Sequence, residues 1–155
     1  MAAPSSRRRV AVVVSRFNDT VTTLLLEGAR DALRKHEIPD SHVDVVWVPG
    51  AFELPVAAEA AAAGGRYDAI VALGCVIRGE TAHFEYVAGE AARGLGNVAL
   101  AHRIAVGFGV LTTETLEQAL ARAGGKSGNK GFEAAEAALQ TADVLAQLAR
   151  AASRD

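Results

Sequence analysis

The sequence predicts a single-domain α/β fold, a three-layer sandwich in which a four-stranded parallel sheet carries helices on both faces. Three observations predict it. Runs of apolar and β-branched residues alternate four times with segments of helical period, which favours parallel strands joined by right-handed crossovers. No internal repeat or low-complexity linker interrupts the 155 residues, a length that suits one domain burying about 70% of its unfolded surface. Half of those residues are hydrophobic and 22% are charged, which supplies a core and excludes a disordered chain.

Each element has a local reason. Residues 10–14 form an apolar, β-branched first strand, followed by the polar turn Ser15, Arg16, Phe17 and Asn18. Asp19 or Thr20 is then expected to cap a helix. Val21, Leu24, Leu25, Gly28, Ala29 and Ala32 share one face of it at spacings of three and four. Pro39 ends that element. Residues 43–48 read as the second strand, stopped by Pro49 and Gly50, and an Ala-rich helix over 54–63 stops at Gly64 and Gly65. The third strand runs through 70–76, with a helix over about 84–97 after it. Residues 105–111 form the fourth strand. Thr112 and Thr113 introduce a helix bearing Leu116, Ala119, Leu120 and Ala123, and the loop 124–131 separates it from a last helix with Phe132, Ala135, Leu139, Ala142 and Ala146 on its apolar face.

Several function classes drop out. A net charge of −2 offers no electrostatic footprint for nucleic acid or an anionic membrane, and no apolar run approaches the roughly 20 residues a membrane helix needs. Cys75 is the only cysteine, so a reducing cytoplasm is expected and the thiol reads as a small buried apolar group. The histidines His36, His42, His83 and His102 lie far apart, without the short spacing of a zinc site. There is no G-x-S-x-G elbow for a serine hydrolase. The loop GGKSGNKG contains Gly-Lys-Ser, but a P-loop would need glycine at position 120, which is Leu120, and would follow a strand where this loop follows a helix. Residues 1–9, with Arg7 to Arg9 after MAAPSS, lack the apolar stretch of a targeting segment. They read as a flexible, solvated tail before a domain spanning 10–155.

The polar segments SRFN, VPGAFE, CVIRGETAH and FGVLTTET all fall at or near the carboxyl ends of successive strands. In an open parallel sheet those ends share one edge, where such folds bind ligands. His83 could simply begin a helix; set among Gly79, Glu80 and Thr81 it is better placed for acid/base work, since imidazole titrates at about pH 6.5. Those three neighbours could offer N–H groups and a hydroxyl to a phosphate oxygen, although helix capping by Thr81 would explain part of the same pattern. Phe17, on a polar turn, can stack on a flat ring or pack as an ordinary aromatic. The two prolines of PGAFELP, Pro49 and Pro55, hold that turn in a defined path. Arg122, Lys126 and Lys130 could bind an anion or offset a helix dipole.

Together and in this order, SRFN, PGAFELP, CVIRGETAHFEYVA, FGVLTTETLEQALARAG and GNKG resemble the lumazine synthase family over about residues 10–150. The fold expected is flavodoxin-like, with strand order 2-1-3-4. The resemblance implies a cofactor-independent, metal-free condensation of 5-amino-6-(D-ribitylamino)uracil with 3,4-dihydroxy-2-butanone 4-phosphate, the penultimate step of riboflavin biosynthesis. It implies that Phe17 stacks on the pyrimidine and that Ala51, Phe52 and Glu53 hold the ring and ribityl chain. Cys75, Val76 and Ile77 would line the uracil pocket through backbone groups, Glu80 and Thr81 would meet the phosphate-bearing substrate, and His83 would be the acid/base group.

Phe108, Arg122 and Lys130 match residues that, in the family, enter the site of an adjacent subunit. A homo-oligomer follows: family members form pentamers, and many assemble these into hollow icosahedral shells. Riboflavin synthase is a further implied partner. Ala105 stands where a proline is common and Ser127 is not the usual residue of the turn. Two other readings are a flavin-binding or shell-forming homologue of weak activity, and the riboflavin synthase that shares this fold in some archaea. The first predicts tight riboflavin binding together with a reaction rate that His83→Ala leaves unchanged, the second riboflavin formation from lumazine alone.

Overall fold

The computed structural model describes residues 7–79 and 83–154. Strand β1 (Val10–Ser15) is buried at every position, as a central parallel strand covered on both faces must be. β2 (Val43–Val48) pairs with one side of it and β3 (Ala69–Ile77) with the other, and β4 (Ala105–Thr113) pairs with β3. All these pairs are parallel, in the order β2-β1-β3-β4, which is the flavodoxin-like order 2-1-3-4.

Alternation along the strands sorts the core into two layers. Val10, Val12 and Val14 pack with Val71 and Leu73 against α1 (Asp19–Lys35) and α5 (Lys130–Ala152). Ala11, Val13, Ile70 and Ala72 face α2 (Leu54–Ala63) and α3 (His83–His102) through Leu54, Ala91 and Leu95. The helices approach closely where glycine allows it. A Cβ on Gly107 would collide with the Ala134 carbonyl of α5, and one on Gly131 with the Leu25 carbonyl of α1.

The local departures from expectation are informative. Neither Asp19 nor Thr20 caps α1: Asp19 is its first residue, and Asn18 occupies the cap in a left-handed conformation (φ 63°) with no side-chain cap bond. Asparagine tolerates that region better than most residues. α3 runs on to His102 because Ala91, Leu95 and Val98 keep a buried helical period past Asn97. Thr112 and Thr113 extend β4, and α4 (Leu116–Ala121) begins only after Thr115, whose side chain accepts from the Gln118 N–H.

The segment expected as a loop is instead an antiparallel hairpin, β5 (Ala123–Gly125) with β6 (Gly128–Asn129), so Ala123 belongs to a strand. Asn129 then accepts from the N–H groups of Gly131 (2.8 Å) and Phe132 (3.1 Å) and donates to the Leu24 carbonyl (3.0 Å). It caps α5 and fastens it to α1.

Arg8 and Arg9, expected in a solvated tail, are instead tied to the domain. Arg8 is 6% exposed and pairs with Asp143 at 2.6 Å, and the Arg9 N–H donates to Asp68. Position 105 begins β4 opposite Ala69, so alanine enters the strand directly. Among the described residues, no helix is long and apolar enough to cross a membrane.

Candidate active site

The carboxyl ends of β1, β2 and β3 open onto a cavity of about 680 Å³, ample for a heterocycle with a side chain. Its walls come from three connections. After β1, the Arg16 N–H donates to the Val48 carbonyl (2.8 Å) and the Phe17 N–H to the Pro49 carbonyl (3.0 Å). These bonds, with the left-handed turn at Asn18, leave the Phe17 ring 70% exposed at the cavity. An aromatic so exposed, on a backbone so constrained, can serve as a stacking platform.

The Asn18 side chain turns the other way and donates to the Cys75 carbonyl at 2.9 Å. It thereby ties the Phe17 turn to the end of β3. After β2, Pro49 and an extended Gly50 lead into a single 3₁₀ turn, Ala51–Glu53. Ala51 is buried, whereas Phe52 is 58% exposed, and Glu53 also lines the cavity. Glu53 is therefore not merely a solvated turn residue.

The floor is Cys75, Val76 and Ile77. Cys75 is 2% exposed, and burial pushes its thiol up to about 11. It is protonated near neutrality and is no nucleophile. His83 begins α3 at the rim. Tyr86, Val87 and Glu90 line the same cavity, because positions three, four and seven residues along a helix share a face. The spacing is present in HFEYVAGE, but it marks a site face only once the helix start is set at the cavity rim.

Eight of the expected site residues thus meet at one cavity: Phe17, Ala51, Phe52, Glu53, Cys75, Val76, Ile77 and His83. Glu80 and Thr81 lie outside the described residues. Phe108, Arg122 and Lys130 do not line it. Phe108 projects from β4 and is 39% exposed. Arg122 follows α4 and donates to the Gln118 carbonyl (3.0 Å), and Lys130 opens α5 with its N–H on the Arg122 carbonyl (2.8 Å).

The electrostatics are one-sided. The described walls contain the carboxylates of Glu53 and Glu90 but no lysine or arginine, and Glu90 is held by Arg93 at 2.7 Å. Such a wall suits hydroxyls, amines and ring N–H groups. For an anion it is incomplete.

A parallel sheet with a largely apolar, ring-sized cavity across the carboxyl ends of β1, β2 and β3 defines a small-molecule-binding α/β protein of the doubly wound class. The family model for 6,7-dimethyl-8-ribityllumazine synthase matches residues 7–146. A protein of Edwardsiella ictaluri named 6,7-dimethyl-8-ribityllumazine synthase is 58% identical over 146 residues, covering 94% of this chain and 92% of that protein. The chain belongs to the 6,7-dimethyl-8-ribityllumazine synthase family.

Proposed function

We propose that the chain condenses 5-amino-6-(D-ribitylamino)uracil with 3,4-dihydroxy-2-butanone 4-phosphate to give 6,7-dimethyl-8-ribityllumazine, with loss of phosphate and water. The observation that carries this reading is a cavity that joins an exposed stacking aromatic, Phe17, to hydrogen-bonding strand ends and to His83, in a chain of this family. The pyrimidine stacks on Phe17, its edge meets the backbone of Cys75, Val76 and Ile77, and Glu53 takes ribityl hydroxyls. Glu80 and Thr81 meet the phosphate-bearing partner.

Every chemical step moves protons: amine attack on the ketone, loss of water, elimination of phosphate and ring closure by a second carbonyl addition. His83 serves these transfers, worth about 10²- to 10⁴-fold for a well-placed acid/base group. Holding two substrates together contributes as much or more. The proposed reaction needs neither metal nor cofactor.

The missing cation defines the assembly. We infer that Arg122 and Lys130 bind the phosphate, and Phe108 covers the pyrimidine, in the cavity of an adjacent copy. The working unit is then a homo-oligomer, read as a pentamer built further into a shell, in the cytoplasm. Its product would pass to riboflavin synthase. Support comes from the exposed positions of Phe108 and Arg122 and from a cavity whose described walls hold no lysine or arginine.

The test is to mix purified protein with both substrates and follow the lumazine chromophore. The expected result is acceleration over the spontaneous reaction, with kcat lowered about 10²- to 10⁴-fold in His83→Ala. No acceleration by the unaltered protein rejects the reading.

A further inference from the structure

The geometry points to a positioning relay, Arg78–Glu114–Gln118, that aims the Arg122 guanidinium and ties it to the helix start that carries His83. The relay rests on the reading of Arg122 as a phosphate-binding group. It adds residues that touch no substrate.

α4 has only six residues, too few to hold a helical shape unaided, yet Arg122 follows directly. Its start is fixed by two reciprocal bonds. Thr115 Oγ1 accepts from the Gln118 N–H (3.1 Å), and Gln118 Oε1 accepts from the Glu114 N–H (2.9 Å). This is a capping box in which the returning side chain reaches one residue further back. The Gln118 carbonyl then accepts from Arg122 Nη1 at 3.0 Å. The turn that this box closes also carries the main-chain acceptor of the guanidinium, so the Gln118 side chain acts on Arg122 by holding that turn in place.

The other end of the relay reaches the cavity. The Arg78 N–H donates to the Thr113 carbonyl (2.8 Å), and Thr113 Oγ1 donates to the Thr115 carbonyl (2.9 Å). The Arg78 guanidinium lies 3.7 Å from Glu114 and 3.8 Å from Glu85. It also sits over the Phe84 ring, 5.8 Å from its centroid, and Phe84 lines the cavity. The two ion pairs are long and their partners about half exposed or more, so they add little to stability. What they supply is register between two connections, one beside His83 and one leading to Arg122.

The test is steady-state kinetics on the assembled protein, with KM measured for each substrate. Gln118→Ala is expected to raise KM for the butanone phosphate roughly two- to tenfold, the range of one polar contact. KM for the pyrimidine stays unchanged. Gln118→Glu keeps an oxygen for the Glu114 N–H and restores the lower KM. Arg78→Gln gives a smaller rise, and its effect vanishes in the Gln118→Ala background, as coupled positions require. The relay is overturned if Gln118→Ala leaves that KM unchanged, if both KM values rise together, or if Gln118→Glu fails to rescue. Arg122→Ala is the control. An unchanged phosphate-substrate KM in that variant overturns the reading of Arg122, and the relay with it; a raised KM there with no effect at Gln118 overturns the relay alone.

Discussion

The cavity over β1 to β3 and the arm formed by β4, α4 and the hairpin lie at the same edge of one sheet and are built in opposite ways. The cavity is concave: buried Cys75 and Val76 form its floor, and exposed Phe17 and Phe52 stand at its sides. The arm leaves Phe108 and Arg122 exposed and outside that cavity. The described walls of the first hold Glu53 and Glu90 but no lysine or arginine. The second carries Arg122 and Lys126 alongside Glu114 and Glu117, and Lys130 follows at the start of α5. In the proposed reaction the hollow binds the ring while the cations that the anionic substrate needs lie on or beside the arm, so the site is completed between copies.

The two regions are also held by different forces, and this gives ways to break the contrast. The arm depends on a few polar anchors. Asn129 caps α5 through two N–H groups and binds the Leu24 carbonyl of α1. Asn129→Ala removes the cap and leaves that carbonyl without its partner. We expect a loss of about 1–3 kcal/mol, read by denaturant unfolding. The phosphate-substrate KM should rise more than that of the pyrimidine. A loss near zero, or equal changes in both KM values, would remove the distinction between arm and cavity.

The cavity floor depends instead on burial, and its signature is a smaller effect at high pH. Cys75 is raised from its ordinary value of 9.0 to about 11 by desolvation. A raised acid binds its proton in the folded state after the unfolded chain has lost it. Stability therefore falls as pH rises from about 9 to about 11 and is unaffected by this group below that window. Cys75→Ala should flatten that part of the alkaline limb relative to the unaltered protein, measured by thermal melts across the range. An unchanged alkaline limb would mean that the floor is open to water.

Much of this architecture was legible from residue types alone. Four apolar runs separated by helical periods implied the parallel sheet, and motifs at strand ends implied the edge where Phe17, Glu53, Cys75 and His83 meet. Three things were not legible. The left-handed turn at Asn18 depends on a bond to the Cys75 carbonyl 57 residues away, which no local propensity encodes. The hairpin at 123–129 is too short and too glycine-rich to carry a period of two. Tyr86, Val87 and Glu90 read as ordinary helix residues until the helix start is set at the cavity rim. The split between hollow and arm was implied by the resemblance through Phe108, Arg122 and Lys130, and the folded surface adds that none of the three lines the chain's own cavity.

The most direct measurement of that split is complementation between two damaged chains. His83→Ala damages the hollow and Arg122→Ala damages the arm, so each variant alone is weakly active. In assemblies formed from an equal mixture, roughly a quarter of the interfaces pair an intact hollow with an intact arm, by random placement around a closed ring. The account predicts that lumazine formation in the mixture rises towards that fraction of the unaltered rate. Activity that stays at the mean of the two parents, in mixtures that mass spectrometry identifies as mixed assemblies, would contradict it.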